Sequence, residues 1–159
     1  MIILRGVPAF KAACDKKIAQ MDAATRRATI RSLHLLERRA KEKLAIRSHE
    51  RGTPTPSDPG DPPALVSGNL RRSIRVEGPH PIGPHTWRGQ VGPTAEYGRI
   101  QELGGEIHTR IAERPMFSAG QAGTGTPIPA RPYMDPALRE SLDEIRAIFV
   151  EEFRKAILE

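Results

Sequence analysis

Glycine and proline are confined to the middle of this chain, and that placement limits the fold more than any other feature. Of the 14 glycines and 15 prolines among 159 residues, all but Gly6 and Pro8 lie between Gly52 and Pro136. Both residue types break helices, glycine through backbone entropy and proline through a missing N–H donor. The two ends that lack them therefore read as helices around an irregular middle, which excludes a continuous bundle and a chain disordered throughout. The expected class is α+β in one domain over 1–159. It has a long N-terminal helix over 9–51, a mobile proline-rich loop over 52–63, a sheet region over 64–134 and a C-terminal amphipathic helix over 135–159. The sheet region is read as a small antiparallel sheet with a short helix and long loops. A helix over 9–51 would run for roughly 60 Å at 1.5 Å per residue. A small domain cannot cover that length, which favours packing on another subunit.

Charge follows the same partition. Residues 1–51 carry 13 Lys/Arg against 5 Asp/Glu, residues 52–136 carry 8 of each, and residues 137–159 carry 4 against 6. The net charge of +6 therefore belongs to the first helix. Arg26, Arg27, Arg31, Arg38, Arg39, Lys41 and Lys43 could face passing DNA phosphates or another subunit. No aromatic lies among them to stack on bases, so sequence readout is not expected, and the acidic last helix is an equally good partner. No apolar run approaches the ~18 residues of a membrane span. Met1-Ile2-Ile3-Leu4 meets Arg5 too soon for a signal-peptide core, and the single Cys14 excludes an internal disulfide.

Within the middle, Ile74 and Val76 suggest a strand, and the proline-rich run from Gly78 to His85 a loop. Thr86 to Val91 then alternates Trp87, Gly89 and Val91 with Arg88 and Gln90, as a strand partnering the first would. Ala95 to Leu103 reads as a short helix stopped by Gly104-Gly105, with Tyr97, Ile100 and Leu103 as its apolar face. Glu106 to Ala112 is a further strand candidate, residues 118–127 a hairpin tip, and residues 128–134 extended before their prolines. Asp135 is the expected N-cap of the last helix and Pro136 its first residue. Leu138, Leu142, Ile145, Phe149, Phe153 and Ile157 are its expected core face.

Catalytic chemistry is not legible. His34, His49, His80, His85 and His108 are scattered without metal-ligand spacing. No serine sits in a nucleophile elbow, and Gly120, Gly123 and Gly125 lack the Gly-Lys-Ser/Thr ending of a phosphate loop. Glu151 and Glu152 are adjacent and so point different ways on a helix. The expectation is a non-enzymatic protein without metal or cofactor.

Three segments together carry a resemblance. They are Ser67-Gly68-Asn69-Leu70-Arg71-Arg72-Ser73-Ile74, then residues 95–105 (Ala-Glu-Tyr-Gly-Arg-Ile-Gln-Glu-Leu-Gly-Gly), then residues 128–137 (Ile-Pro-Ala-Arg-Pro-Tyr-Met-Asp-Pro-Ala). In this order, between a charged first helix and an amphipathic last one, they resemble the neck or tail-completion proteins of tailed bacteriophages. That family includes head–tail joining, minor tail and virion morphogenesis proteins. The motif positions are Gly68, Leu70, Ser73 and Ile74; Tyr97, Glu102, Gly104 and Gly105; and Pro129, Arg131, Pro132, Tyr133 and Pro136. Tyr97-Gly98 stands where Tyr-Ala is usual. Read physically, these positions are turn and core residues, with Leu70, Ile74 and Tyr133 buried. The resemblance implies a structural virion protein that completes the tail and joins it to the head. It also implies a homo-oligomeric ring touching tail-tube, terminator or connector subunits, assembled in the host cytoplasm. The alternative is a DNA-binding protein using the basic helix for non-specific phosphate contacts.

Overall fold

The computed structural model describes residues 6–51, 57–107 and 126–158. The order is α1 (Val7–Lys43), α2 (Asn69–Ser73), β1 (Ile74–Gly83), β2 (Thr86–Pro93), α3 (Gly98–Leu103), β3 (Gly105–Ile107), β4 (Thr126–Ile128) and α4 (Met134–Leu158), an α+β fold. β1 pairs with β2, and β3 with β4 in an antiparallel register that sets Gly105 opposite Ile128. A two-residue connection, Pro84-His85, joins β1 to β2, which requires an antiparallel hairpin. Length alone favours one domain, yet the residues group into two compact units, each assembled from separated segments. Unit 1 holds the described parts of Met1–Arg39, Val76–Val91 and Leu138–Glu159, and unit 2 those of Ala40–Arg75 and Gly92–Ala137.

Three sequence expectations need correction. The first helix ends at Lys43, short of residue 51. Nothing in the local sequence breaks it. Instead Leu44 is buried and the following chain is drawn into a bridge, where Leu65 N–H donates to Arg47 O at 2.8 Å and His49 N–H to Leu65 O at 3.4 Å. Tertiary pairing has overridden propensity. Second, Gly78–Gly83 is strand, not loop. A two-stranded ribbon is all edge, and an edge tolerates residues such as Pro79 and Pro81 that cannot donate to a ladder. Third, the large apolar residues of α4 do not form its core face. Ser141, Glu152 and Ala156 are buried, whereas Leu138, Leu142 and Ile157 are 41%, 42% and 63% exposed.

The reason lies in how α1 and α4 meet within unit 1. Lys17 Nζ donates to the carbonyls of Ala156 at 2.9 Å and Ile157 at 3.3 Å, satisfying the C-terminal end of α4. Arg27 Nε reaches Glu152 at 2.8 Å, Arg31 reaches Glu152 at 2.7 Å and Glu151 at 2.9 Å, and Arg39 pairs with Glu144. These partners fall in reverse order, so the helices are antiparallel. Fully buried Ala24 and Ala28 on α1, and Ser141 and Ala156 on α4, are small enough to let the two backbones approach. Hairpin β1–β2 also packs on α1: a Cβ at Gly89 would lie 2.3 Å from Leu33 Cδ1. Trp87 Nε1 donates to Asp22 at 3.0 Å while Arg26 sits 5.7 Å over its ring. The alternating burial expected of this strand is present from Thr86 to Val91.

Of the expected proline-rich loop, 52–56 lies outside the described residues. In 57–63, Gly60 N–H donates to Ala130 O at 2.9 Å and Asp61 pairs with Arg47 at 2.8 Å. Strand β3 covers the start of the 106–112 candidate; 108–112 and most of the 118–127 tip lie outside the described residues.

Candidate functional site

All three motif segments fall in unit 2 and are built into one another. The first begins at Gly68, whose φ of 71° starts α2 from the left-handed region. Arg72 folds back to bond Ser67 O at 2.9 Å and Asn69 Oδ1 at 2.7 Å. The Ser73 hydroxyl donates to Leu70 O at 2.7 Å, and Ser73 O accepts from Thr94 N–H at 2.9 Å. Ile74 is fully buried, as expected, whereas Leu70 is only half-buried.

The second segment departs further from expectation. Tyr97 and Leu103 are 45% and 65% exposed, so the supposed apolar face of α3 is open, and Gly98 is the buried residue. A Cβ at Gly98 would come within 2.5 Å of Pro93 Cγ, so this position has no room for a side chain. Gly104 ends the helix as expected, its N–H donating to Ile100 O at 2.9 Å.

The third segment closes over the second. Arg131 N–H donates to Gln101 O at 2.7 Å, and its nearly buried guanidinium donates through Nε to Ser57 O at 2.8 Å. Tyr133 is fully buried and its hydroxyl donates to Gly98 O at 3.3 Å. Burial, then the nearby Glu102 carboxylate, pushes the Tyr133 phenol upward, so it stays a neutral donor. Pro129 is exposed and Pro132 half-buried on this approach, and Pro136 stands in the first turn of α4.

Glu102 is the central residue of the cluster. Its Oε2 accepts N–H bonds from Tyr133 at 2.8 Å and Met134 at 2.9 Å, and its Oε1 one from Asp135 at 2.9 Å. Asp135, expected to cap α4, is itself a donor to this cap. A carboxylate at a helix N-terminus satisfies orphan donors and meets the positive end of the dipole. Local capping rules cannot find a cap 32 residues away from Met134. Beside the cluster, Leu44, Pro63, Leu65, Leu70, Tyr97 and Gln101 line a groove of about 180 Å³. Its polar groups are Ser67, Asn69, Gln101 and Arg71, suited to holding a partner by hydrogen bonds.

The basic residues are spread over several partners. Arg27, Arg31 and Arg39 engage α4, and Arg26 the Trp87 ring. Arg38 lines a groove with Glu144 and Glu151, while the Lys41 carbonyl accepts from Arg71 Nε at 3.1 Å and Lys43 stands in the last turn of α1. Hydrogen bonds from Lys155 and then Arg31 hold the Glu151 carboxyl down to about 2, and Arg27 holds Glu152 below the usual range against its burial. Both folded pKa values thus lie below the unfolded value of about 4.3. Their stabilisation is complete above that pH and is lost as pH falls toward about 2. Fluorescence of Trp87, the single tryptophan, is expected to report unit 1 melting at lower temperature across that window. Glu152→Gln should flatten the dependence; an unchanged acid profile would refute the linkage.

Among the described residues no three His, Cys, Asp or Glu side chains are placed to hold a metal ion, and no helix is long and apolar enough to cross a membrane. Comparison with protein-family models, curated proteins and solved structures gives no match.

Proposed function

We propose that this chain is a structural virion protein of the phage neck or head-proximal tail end, acting through protein–protein interfaces and without catalysis. The observation that carries this reading is the clasp: the second and third of the segments that carry the resemblance interlock through Glu102, Gly98, Gln101 and Arg131, and the first is tied in beside them where Ser73 O accepts from Thr94 N–H. The motif residues spend their hydrogen bonds on holding the backbone in shape. Val66, Tyr97 and Leu103 remain exposed as a contact surface for neighbouring subunits. A homo-oligomeric ring against tail-tube, terminator or connector proteins follows from the resemblance, with assembly in the host cytoplasm. Engagement of Arg27, Arg31 and Arg39 by α4 weighs against the DNA-binding alternative, because phosphates would have to displace carboxylates already in place.

Deleting the gene from its phage should leave filled heads and finished tails unjoined in the lysate, restored by the chain in trans. Normal infectious particles would overturn the reading. Sub-micromolar duplex-DNA affinity in low salt, falling steeply as salt rises, would favour the alternative instead.

A further inference from the structure

Helix α4 carries an apolar stripe that the fold leaves open. Leu138, Leu142, Val150 and Ile157 are exposed, and Ile145, Phe149 and Phe153 are only half-buried. At about 100° per residue this stripe lies beside the Ser141, Glu152 and Ala156 side that meets α1. Its spacing is palindromic about the point between Ala147 and Ile148. Leu138 and Ile157 are equidistant from that point, as are Leu142 and Phe153, and Ile145 and Val150. In an antiparallel copy of the same helix crossing there, the members of each pair share a level; Leu142 and Phe153, only about 20° apart round the helix, face each other across the two-fold, and the other two pairs flank that contact on either side.

The charges agree with that direction. Asp143 and Arg154 are both exposed, on the same flank of the stripe and at nearly equal distances from its centre. Antiparallel pairing brings Asp143 of one copy against Arg154 of the other, and Arg146 against the Phe149 ring. Parallel pairing would put Asp143 and Arg154 of the two copies on opposite flanks, so neither ion pair would form.

We infer that a second copy of this chain docks on this face, α4 against α4, antiparallel about a two-fold axis at the level of Ala147 and Ile148. This rests on the helix face alone and not on the neck reading, so either can fail without the other. Seven side chains from each copy would bury on the order of 700–800 Å² in total, below the ~1,200 Å² of a standard interface. The dimer is therefore weak, dissociating in the micromolar range.

Sedimentation of the full chain from about 1 µM to about 1 mM should show a reversible monomer–dimer equilibrium. Leu142→Lys and, separately, Val150→Lys should each weaken it at least tenfold while Trp87 fluorescence shows unit 1 still folded. In a Cys14→Ser background, nitroxides at position 146 should lie close across the dimer. Those at position 154 should be offset along the axis by roughly 20 Å, at 1.5 Å per residue. A monomer throughout the range, a dimer indifferent to both lysine variants, or equally short distances at the two positions would overturn the inference.

Discussion

Replacing Glu102 by alanine is expected to destabilise unit 2 by about 2–3 kcal/mol, the cost of an N-cap whose acceptor is charged and bonded more than once. Three backbone donors, of Tyr133, Met134 and Asp135, lose their acceptor together. Water can reach Asp135, which is exposed, more readily than Tyr133, which is fully buried, so most of the loss falls on the Tyr133 end. Hydrogen exchange is the direct measurement. The Tyr133 and Met134 amides should lose protection by about 30- to 150-fold, the factor equivalent to that energy. Near-UV signals separate the units, because both tyrosines, Tyr97 and Tyr133, lie in unit 2 and Trp87 in unit 1. The tyrosine transition should fall by roughly 8–24 °C. Glu102→Gln keeps one acceptor oxygen without the charge and should fall between. Unchanged protection at Tyr133 in the alanine variant would show that the clasp does not hold α4.

What could be read from the sequence, and what could not, divides by the range of the forces involved. Helices α1 and α4, the Gly104 stop and the alternation from Thr86 to Val91 are set by neighbouring residues, so local rules found them. The end of α1 could not be found that way, since Arg47 and His49 leave helical geometry to pair with Leu65. The buried face of α4 escapes periodicity for a related reason. Hydrophobic periodicity favours the stripe with the largest side chains, but close helix contact favours the smallest. Ala24, Ala28, Ser141 and Ala156 are buried together with arginine-paired Glu152. At the clasp, the resemblance had marked Glu102, Gly104, Arg131 and Tyr133, yet not what joins them. Pro93, Thr94 and Ser57, which the motifs do not include, complete the cluster.

Gly104→Ala should cost more than the loss of Glu102, about 3–5 kcal/mol, because strain and overlap add at one atom. Gly104 has φ 70° and ψ −179°, a region open in practice only to glycine. A Cβ there would lie 2.9 Å from Ala130 N and 3.0 Å from Ile128 O. Both are backbone atoms, and that backbone is anchored one residue later where Arg131 N–H bonds Gln101 O, so it cannot yield as a flexible side chain would. Gly105 next door provides the control. Its φ of 153° also disfavours a side chain, but the nearest atoms are the Ile100 side chain at 3.4–3.5 Å, so Gly105→Ala should cost only about 1 kcal/mol. Chemical denaturation read at the tyrosines should separate the two variants by at least about 2 kcal/mol. Equal losses would mean that backbone conformation alone sets the requirement, and that Ala130 does not press on the helix end. The expected inequality would make Gly104 the point where the second and third segments come too close for any side chain.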